Sequence, residues 1–166
     1  MGKIVFFLFL ILTFHMNNAY SITTDLEKIY LENGEYTEVN KAIQEAMAFL
    51  KKDIPLPTRL PSISFTHVFA SFNQKGSQLT IYYLDENNGK KHYNLVIIPN
   101  ENDMSYPNDA KKVHLGNGQE MVYFKSNDFI IYRTVANDFE YTIIVDKVSN
   151  NTITVDGIGK IFTSIV

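Results

Sequence analysis

Cysteine and tryptophan are absent from the 166-residue sequence, and arginine occurs only at Arg59 and Arg133. Without cysteine there is no disulfide, no thiolate nucleophile or metal ligand, and no lipobox cysteine to acylate. A small exported domain made this way depends on its apolar core alone, which fits export by bacteria better than a eukaryotic secretory route. Bidentate clamping of a phosphate or carboxylate is restricted to the two arginines. A formal charge of −3 lacks the basic footprint of a nucleic-acid binder. Proline is scarce too, with five in all, yet three of them (Pro55, Pro57 and Pro61) crowd into the stretch DIPLPTRLPS at residues 53–62.

What is present begins with the amino terminus. MGKIVFFLFLILTF has one lysine, then eleven residues, 4–14, apolar except for Thr13. That is shorter than the roughly 20 residues of a membrane-spanning helix and suits the apolar region of a secretory signal peptide. Ala19-Tyr20-Ser21 supplies a small-x-small cleavage pattern. The expectation is a signal peptide over residues 1–21, cleaved after Ser21, an uncleaved anchor being the alternative. Loss of Lys3 then leaves fourteen basic and eighteen acidic residues, a net of −4, and no membrane association after cleavage.

Residues 22–36 read as a helical extension and residues 37–166 as a single α+β domain. Thr24 and Glu27 have capping-box spacing, and Asn33-Gly34 is a stop signal. A second helix is expected to start near Thr37 and end near Lys52, with an apolar stripe of Val39, Ile43, Met47 and Leu50. Asp53 and Ile54 precede Pro55, where helical geometry is disfavoured. From Ile63 the period changes to that of strands, with Ile63, Phe65, His67 and Phe69 alternating with polar residues and Val68. Turn signals at Asn87-Asn88-Gly89, Gly116-Asn117-Gly118 and Ala136-Asn137-Asp138 divide the rest into about seven strands. The fold expected is α+β, an antiparallel sheet in meander order packed against the Val39 to Leu50 stripe. Residues 100–110 form the longest polar break. A short last helix, capped by Ser149 or Asn150, would carry Ile153, Ile158, Ile161 and Ile165. Leu56 and Leu60 are expected to pin the proline-rich stretch to the core.

The order of these pieces resembles domain of unknown function 4367, over roughly residues 40–166. The marks are Leu56-Pro57-Thr58-Arg59-Leu60-Pro61, a tyrosine-rich strand pair, a glycine hairpin leading into the aromatic strand at residues 121–124, and Tyr141-Thr142-Ile143. Ser62-Ile63 stands where that family usually has a Glu-Gly turn, and the last segment lacks the usual glutamate-rich helix. The resemblance implies an exported domain of spore-forming Gram-positive bacteria, found in anti-sigma-type regulators and envelope lipoproteins. It also implies an architecture like the half-barrel of periplasmic lipoprotein-binding proteins, with no catalytic residue to carry over.

No catalytic constellation stands out. Beyond the leader there are three histidines, His67, His92 and His114, none in His-Glu-x-x-His or spaced as a ligand pair. Metal binding would need tertiary help from acids such as Asp85 or Glu86. Gly-x-Ser-x-Gly is missing and Gly76-Ser77 falls in a turn. Asp85-Glu86 could form a carboxylate pair but read as solvated turn residues. Gly157-x-Gly159-Lys160 lacks the spacing of a phosphate loop. Asn150-Asn151-Thr152 matches a glycosylation acceptor, which carries no meaning in a bacterial protein. No catalytic residue, cofactor or metal is therefore expected. The tyrosines Tyr82, Tyr83, Tyr93, Tyr123, Tyr132 and Tyr141 suit either a sheet boundary or a binding surface. A curved sheet could receive a protein or apolar ligand on its concave face, and the preceding helix could fill that face instead. A secreted, non-enzymatic envelope-associated binding or regulatory domain is the leading expectation. The alternatives are a secreted hydrolase with a site assembled from distant residues, and a structural spore or wall protein.

Overall fold

A computed structural model describes residues 31–32, 36–85, 92–101, 105–147 and 153–166. The expected signal peptide with its cleavage pattern, the capping box at Thr24, the turn at Asn87-Asn88-Gly89, Glu86 and the Asn150 acceptor lie outside the described residues. Of the first expected helix, Leu31 and Glu32 are described and are helical.

Seven strands form one antiparallel sheet that is not closed into a barrel: β1 (His67–Asn73), β2 (Gln78–Leu84), β3 (His92–Pro99), β4 (Lys111–His114), β5 (Glu120–Ser126), β6 (Phe129–Ala136) and β7 (Phe139–Asp146). The helices are α1 (Val39–Leu50) and α2 (Val155–Phe162). The order across the sheet is β1-β2-β3-β7-β6-β5-β4, so the expected simple meander is corrected to two meanders joined where β3 pairs with β7. The reason is compositional. β3 and β7 are apolar on successive residues (Leu95, Val96, Ile97, Ile98; Ile143, Ile144, Val145), which suits neither to a solvent-facing edge. They take the middle, and the chain crosses from β3 to the far edge through residues 100–110. The edge strand β4 is four residues long and carries Lys111 and Lys112, which discourages pairing with other chains.

Hairpin geometry follows the turn residues. Asn137 and Asp138 both have positive φ (50° and 66°), the backbone of the two-residue turn that matches strand twist. At the β4–β5 turn Gly118 has φ +85° and Asn117 Oδ1 accepts from the Gln119 amide at 3.1 Å.

Side-chain alternation divides the sheet into two faces. One carries Leu79, Ile81, Leu95, Ile97, Tyr141, Ile143 and Met121, all essentially buried. Helix α1 lies on this face across β1 and β2, and its deepest residues are Ala42 and Ala46, both 0% exposed. The expected stripe of Val39, Ile43, Met47 and Leu50 is only partly buried, packing on either side of the alanines. Small residues at the contact let the helix backbone come close, and the larger ones fill the flanks. The helix starts at Val39, not at Thr37, because Thr37 is drawn into a two-way backbone bridge with Ala70 (2.8 and 3.0 Å). Lys51, at φ 54°, closes it.

The proline-rich stretch then runs over the same face. Ile54 is buried, Tyr141 donates its hydroxyl to the Pro55 carbonyl at 2.8 Å, and Pro57 bridges Ile165. The Thr58 amide donates to Ser164 O at 3.1 Å and the Arg59 amide to Ser164 Oγ at 3.1 Å. Leu56 packs on the core as expected, but Leu60 is 48% exposed. Backbone bonds to the carboxy terminus hold that half of the stretch, so no leucine anchor is needed there. Strand β1 starts at His67; Phe65, ahead of it, packs on Tyr83 and Tyr93 (ring centroids 5.1 and 5.9 Å). His67 and Phe69 lie on the opposite face, so the expected run from Ile63 is corrected to an irregular segment followed by a shorter strand.

Helix α2 buries Ile158, Ile161 and Phe162. Thr154 caps it, accepting from the Gly157 amide at 3.0 Å, which replaces the cap expected at Ser149 or Asn150. Gly159 lies where a Cβ would stand 3.0 Å from Leu115 Cδ2, so the glycine lets helix and hairpin meet. No helix among the described residues is long and apolar enough to cross a membrane.

Candidate ligand-binding face

Neither α1 nor α2 lies on the second face of the sheet. Its central row crosses six strands: Phe69, Tyr82, Asn94, Ile144, Ile131 and Phe124. Phe69 is buried; the other five are half-buried. At one end, Tyr36, Tyr82, Leu84, Asn94 and Phe129 surround a hollow of about 230 Å³. Tyr36 stands edge-on to Tyr82, with ring centroids 5.0 Å apart. Phe129 is 39% exposed, a large cost in apolar area for a strand residue unless something covers it.

The next two rows hold charge, Arg133 opposite Thr142 in the first and Glu140 opposite Val135 in the second. Glu140, 7% exposed, takes a 3.1 Å hydrogen bond from Thr142 Oγ1 and faces Arg133 Nε at 3.4 Å. That distance supports ion pairing without hydrogen-bond geometry, so the buried Nε has no hydrogen-bond partner among the described residues. The guanidinium also lies over the Phe124 ring, 5.8 Å from its centroid. Tyr106, from the β3–β4 connection, is close enough for these charges to act on it. Burial raises its phenol pKa, Glu140 adds to the rise, Arg133 opposes it, and Glu120 contributes further.

The tyrosines divide unevenly. Tyr83, Tyr93, Tyr123, Tyr132 and Tyr141 belong to the helix-covered face, and only Tyr82 reaches the open one. Burial pushes the phenols of Tyr83, Tyr93, Tyr132 and Tyr141 up, in Tyr93 and Tyr132 with help from Tyr83 and Tyr123 respectively. These four are core residues with polar tips, which favours the sheet-boundary alternative for them.

The histidines are not assembled. His67 opens edge strand β1, where its Nδ1 is 2.8 Å from Thr66 Oγ1 and its ring stacks on Phe69 at 5.9 Å. His114 is exposed on the opposite edge strand β4, six strand spacings away, or about 28 Å. The backbone of His92 pairs with Leu84. Asp85 follows β2. Among the described residues no three His, Asp or Glu side chains are grouped to hold a metal. Gly76-Ser77 does lie in a turn, with Ser77 at φ 48°. Lys160 is paired with Asp156 at 2.7 Å, beside an open groove of about 680 Å³ between α2 and the β4–β5 hairpin. Gly157 serves the cap and Gly159 the packing, so each feature of Gly157-x-Gly159-Lys160 has a role in the fold.

Sequence reasoning missed Phe129, Asn94 and the Glu140–Arg133 pair. A usable signal existed for the pair: two charges standing inside FIIYRTVA and FEYTIIVD, the most apolar strands of the second meander. Comparison of the chain with known families, curated proteins and solved structures finds no match.

Proposed function

We propose that this chain is a secreted, non-enzymatic binding or regulatory domain of the bacterial cell envelope, and that its ligand lies on the open sheet face. One observation carries the reading. The helix-covered face is filled by the chain's own α1, α2 and proline-rich stretch, whereas the open face keeps a half-buried aromatic and aliphatic row beside a hollow. Apolar surface of this kind, rimmed by polar groups, marks interaction sites. The signal-peptide pattern of residues 1–21 supports a location outside the cytoplasm, where such a face would meet envelope components. Arg133 and Glu140 sit at its edge as orienting groups rather than as an acid–base pair, since each is already engaged by the other.

Retention of envelope components by the immobilised full chain tests this. The unaltered chain is expected to retain a component that Ile131→Asp loses and Lys75→Ala, on the β1–β2 turn, keeps. Equal retention by Ile131→Asp, or none by the unaltered chain, defeats the reading. Mass measurement of the exported protein checks the leader separately, the expected first residue being Ile22.

A further inference from the structure

The open face changes character along β6. Phe129 borders the hollow, Ile131 follows on the same face, and Arg133 stands beyond it, about 13 Å along the strand from Phe129. Ile144, directly opposite Ile131, completes an apolar floor between hollow and guanidinium. Arg133 is fixed from below by Glu140 and Phe124, its side chain is 29% exposed, and it makes no hydrogen bond to any described residue. A planar fork held on one side with its terminal amino groups free is the geometry that pairs with a carboxylate through two parallel bonds.

We propose that this face binds an unbranched carboxylic acid of the fatty-acid type, with its chain over Ile131 and Ile144 into the hollow beside Phe129 and its carboxylate on Arg133. The proposal deepens the binding reading above and rests on it. Three features select this class. A methylene chain asks nothing of the Ile131–Ile144 floor, whereas a peptide laid there would bring amides that these two aliphatic side chains cannot pair. One guanidinium beside one carboxylate suits a singly charged head group better than a dianionic phosphate. The nearest lysine on the same face, Lys112, is already bonded to Glu120 at 3.0 Å.

Calorimetric titration of the full chain with dodecanoate and with dodecan-1-ol separates chain from head group. Dodecanoate should bind about tenfold or more tightly than the alcohol, the margin of a charge-assisted bidentate contact. Phe129→Ala should weaken both ligands. Because Arg133→Gln alone would strand a buried carboxylate, Arg133→Gln is combined with Glu140→Gln; this pair should lower dodecanoate to the level of the alcohol and leave the alcohol unchanged. Glu140→Gln alone should tighten dodecanoate and not the alcohol, and it carries the test if the double variant fails to fold. Equal affinity for acid and alcohol, no effect of Glu140→Gln, or binding of neither ligand overturns the proposal. In the last case, a fall in melting temperature with Phe129→Ala would indicate that the chain's own residues fill the hollow. If envelope retention sensitive to Ile131→Asp persists alongside such a failure, the binding reading survives and the fatty-acid assignment alone falls.

Discussion

The hydroxyl of Tyr141, on the central strand β7, donates to the carbonyl of Pro55 at 2.8 Å, across 86 residues of sequence. The bond fastens the proline-rich stretch to the middle of the sheet. It also satisfies a phenol that is otherwise enclosed by core side chains. Tyr141→Phe keeps the ring and removes the bond. We expect it to lower stability by about 1 kcal/mol, near the net value of one hydrogen bond, because Pro55 is only partly buried and its freed carbonyl can meet water. Chemical denaturation with an unchanged slope would measure it; no change in midpoint would show that the bond contributes nothing.

Tyr93 is the counter-case. It is fully buried on β3, with its ring edge-on to Tyr83 (5.1 Å), and its hydroxyl has no hydrogen-bond partner among the described residues. An enclosed, unpaired hydroxyl costs free energy. Tyr93→Phe should therefore leave the melting temperature unchanged or raise it, in contrast to Tyr141→Phe. A loss as large as that of Tyr141→Phe would mean that the hydroxyl has a partner.

Alkaline pH should unfold the domain through these phenols. Burial raises the pKa of Tyr83, Tyr93, Tyr132 and Tyr141 above the ordinary value of 10.0. The folded state holds these protons more tightly than the unfolded state does. Their contribution to stability is thus complete below pH about 10 and is lost as pH rises beyond it. Phenolate absorbance from these four should appear only together with loss of tertiary circular dichroism. Independent, earlier titration of all tyrosines in the folded protein would contradict this.

Much of the fold could be read from the sequence because it is written in local patterns. The positive-φ turn at Asn137-Asp138, the glycine turn at Gly116-Asn117-Gly118 and the break before Pro55 are all short-range signals. What could not be read depends on pairing at a distance. The β3–β7 junction follows from two apolar strands seeking the centre, and periodicity within either one does not name its partner. Ala42 and Ala46 make the closest helix–sheet contact, yet a search for large apolar residues passes over them. The open face was missed for the same reason: Phe69, Tyr82, Asn94, Ile144, Ile131 and Phe124 come from six strands and form a row only once register is fixed. In the region of Phe65 to Phe69 the alternating pattern misled, because Phe65 turns into the core before the strand starts and His67 and Phe69 turn out.

The prolines of DIPLPTRLPS do not all act alike. Pro57 lies in the backbone bridge to Ile165, beside the Thr58 amide bond to Ser164 O, so its extended geometry is used in the native state. Pro61 sits among exposed residues, next to Leu60, and its carbonyl accepts from the Ile63 amide at 2.8 Å in a tight local turn. Replacement of either by glycine enlarges the freedom of the unfolded chain, for about 0.4–1 kcal/mol. At Pro57 the same freedom also loosens the bridge that ties residues 53–59 to the carboxy terminus. Pro57→Gly should therefore cost more than Pro61→Gly and should speed hydrogen exchange at the Thr58 and Arg59 amides. Pro61→Gly should lower the melting temperature slightly while leaving that exchange as it was. Equal exchange in the two variants would show that the bridge is held by Tyr141, Thr58 and Ser164 without help from proline.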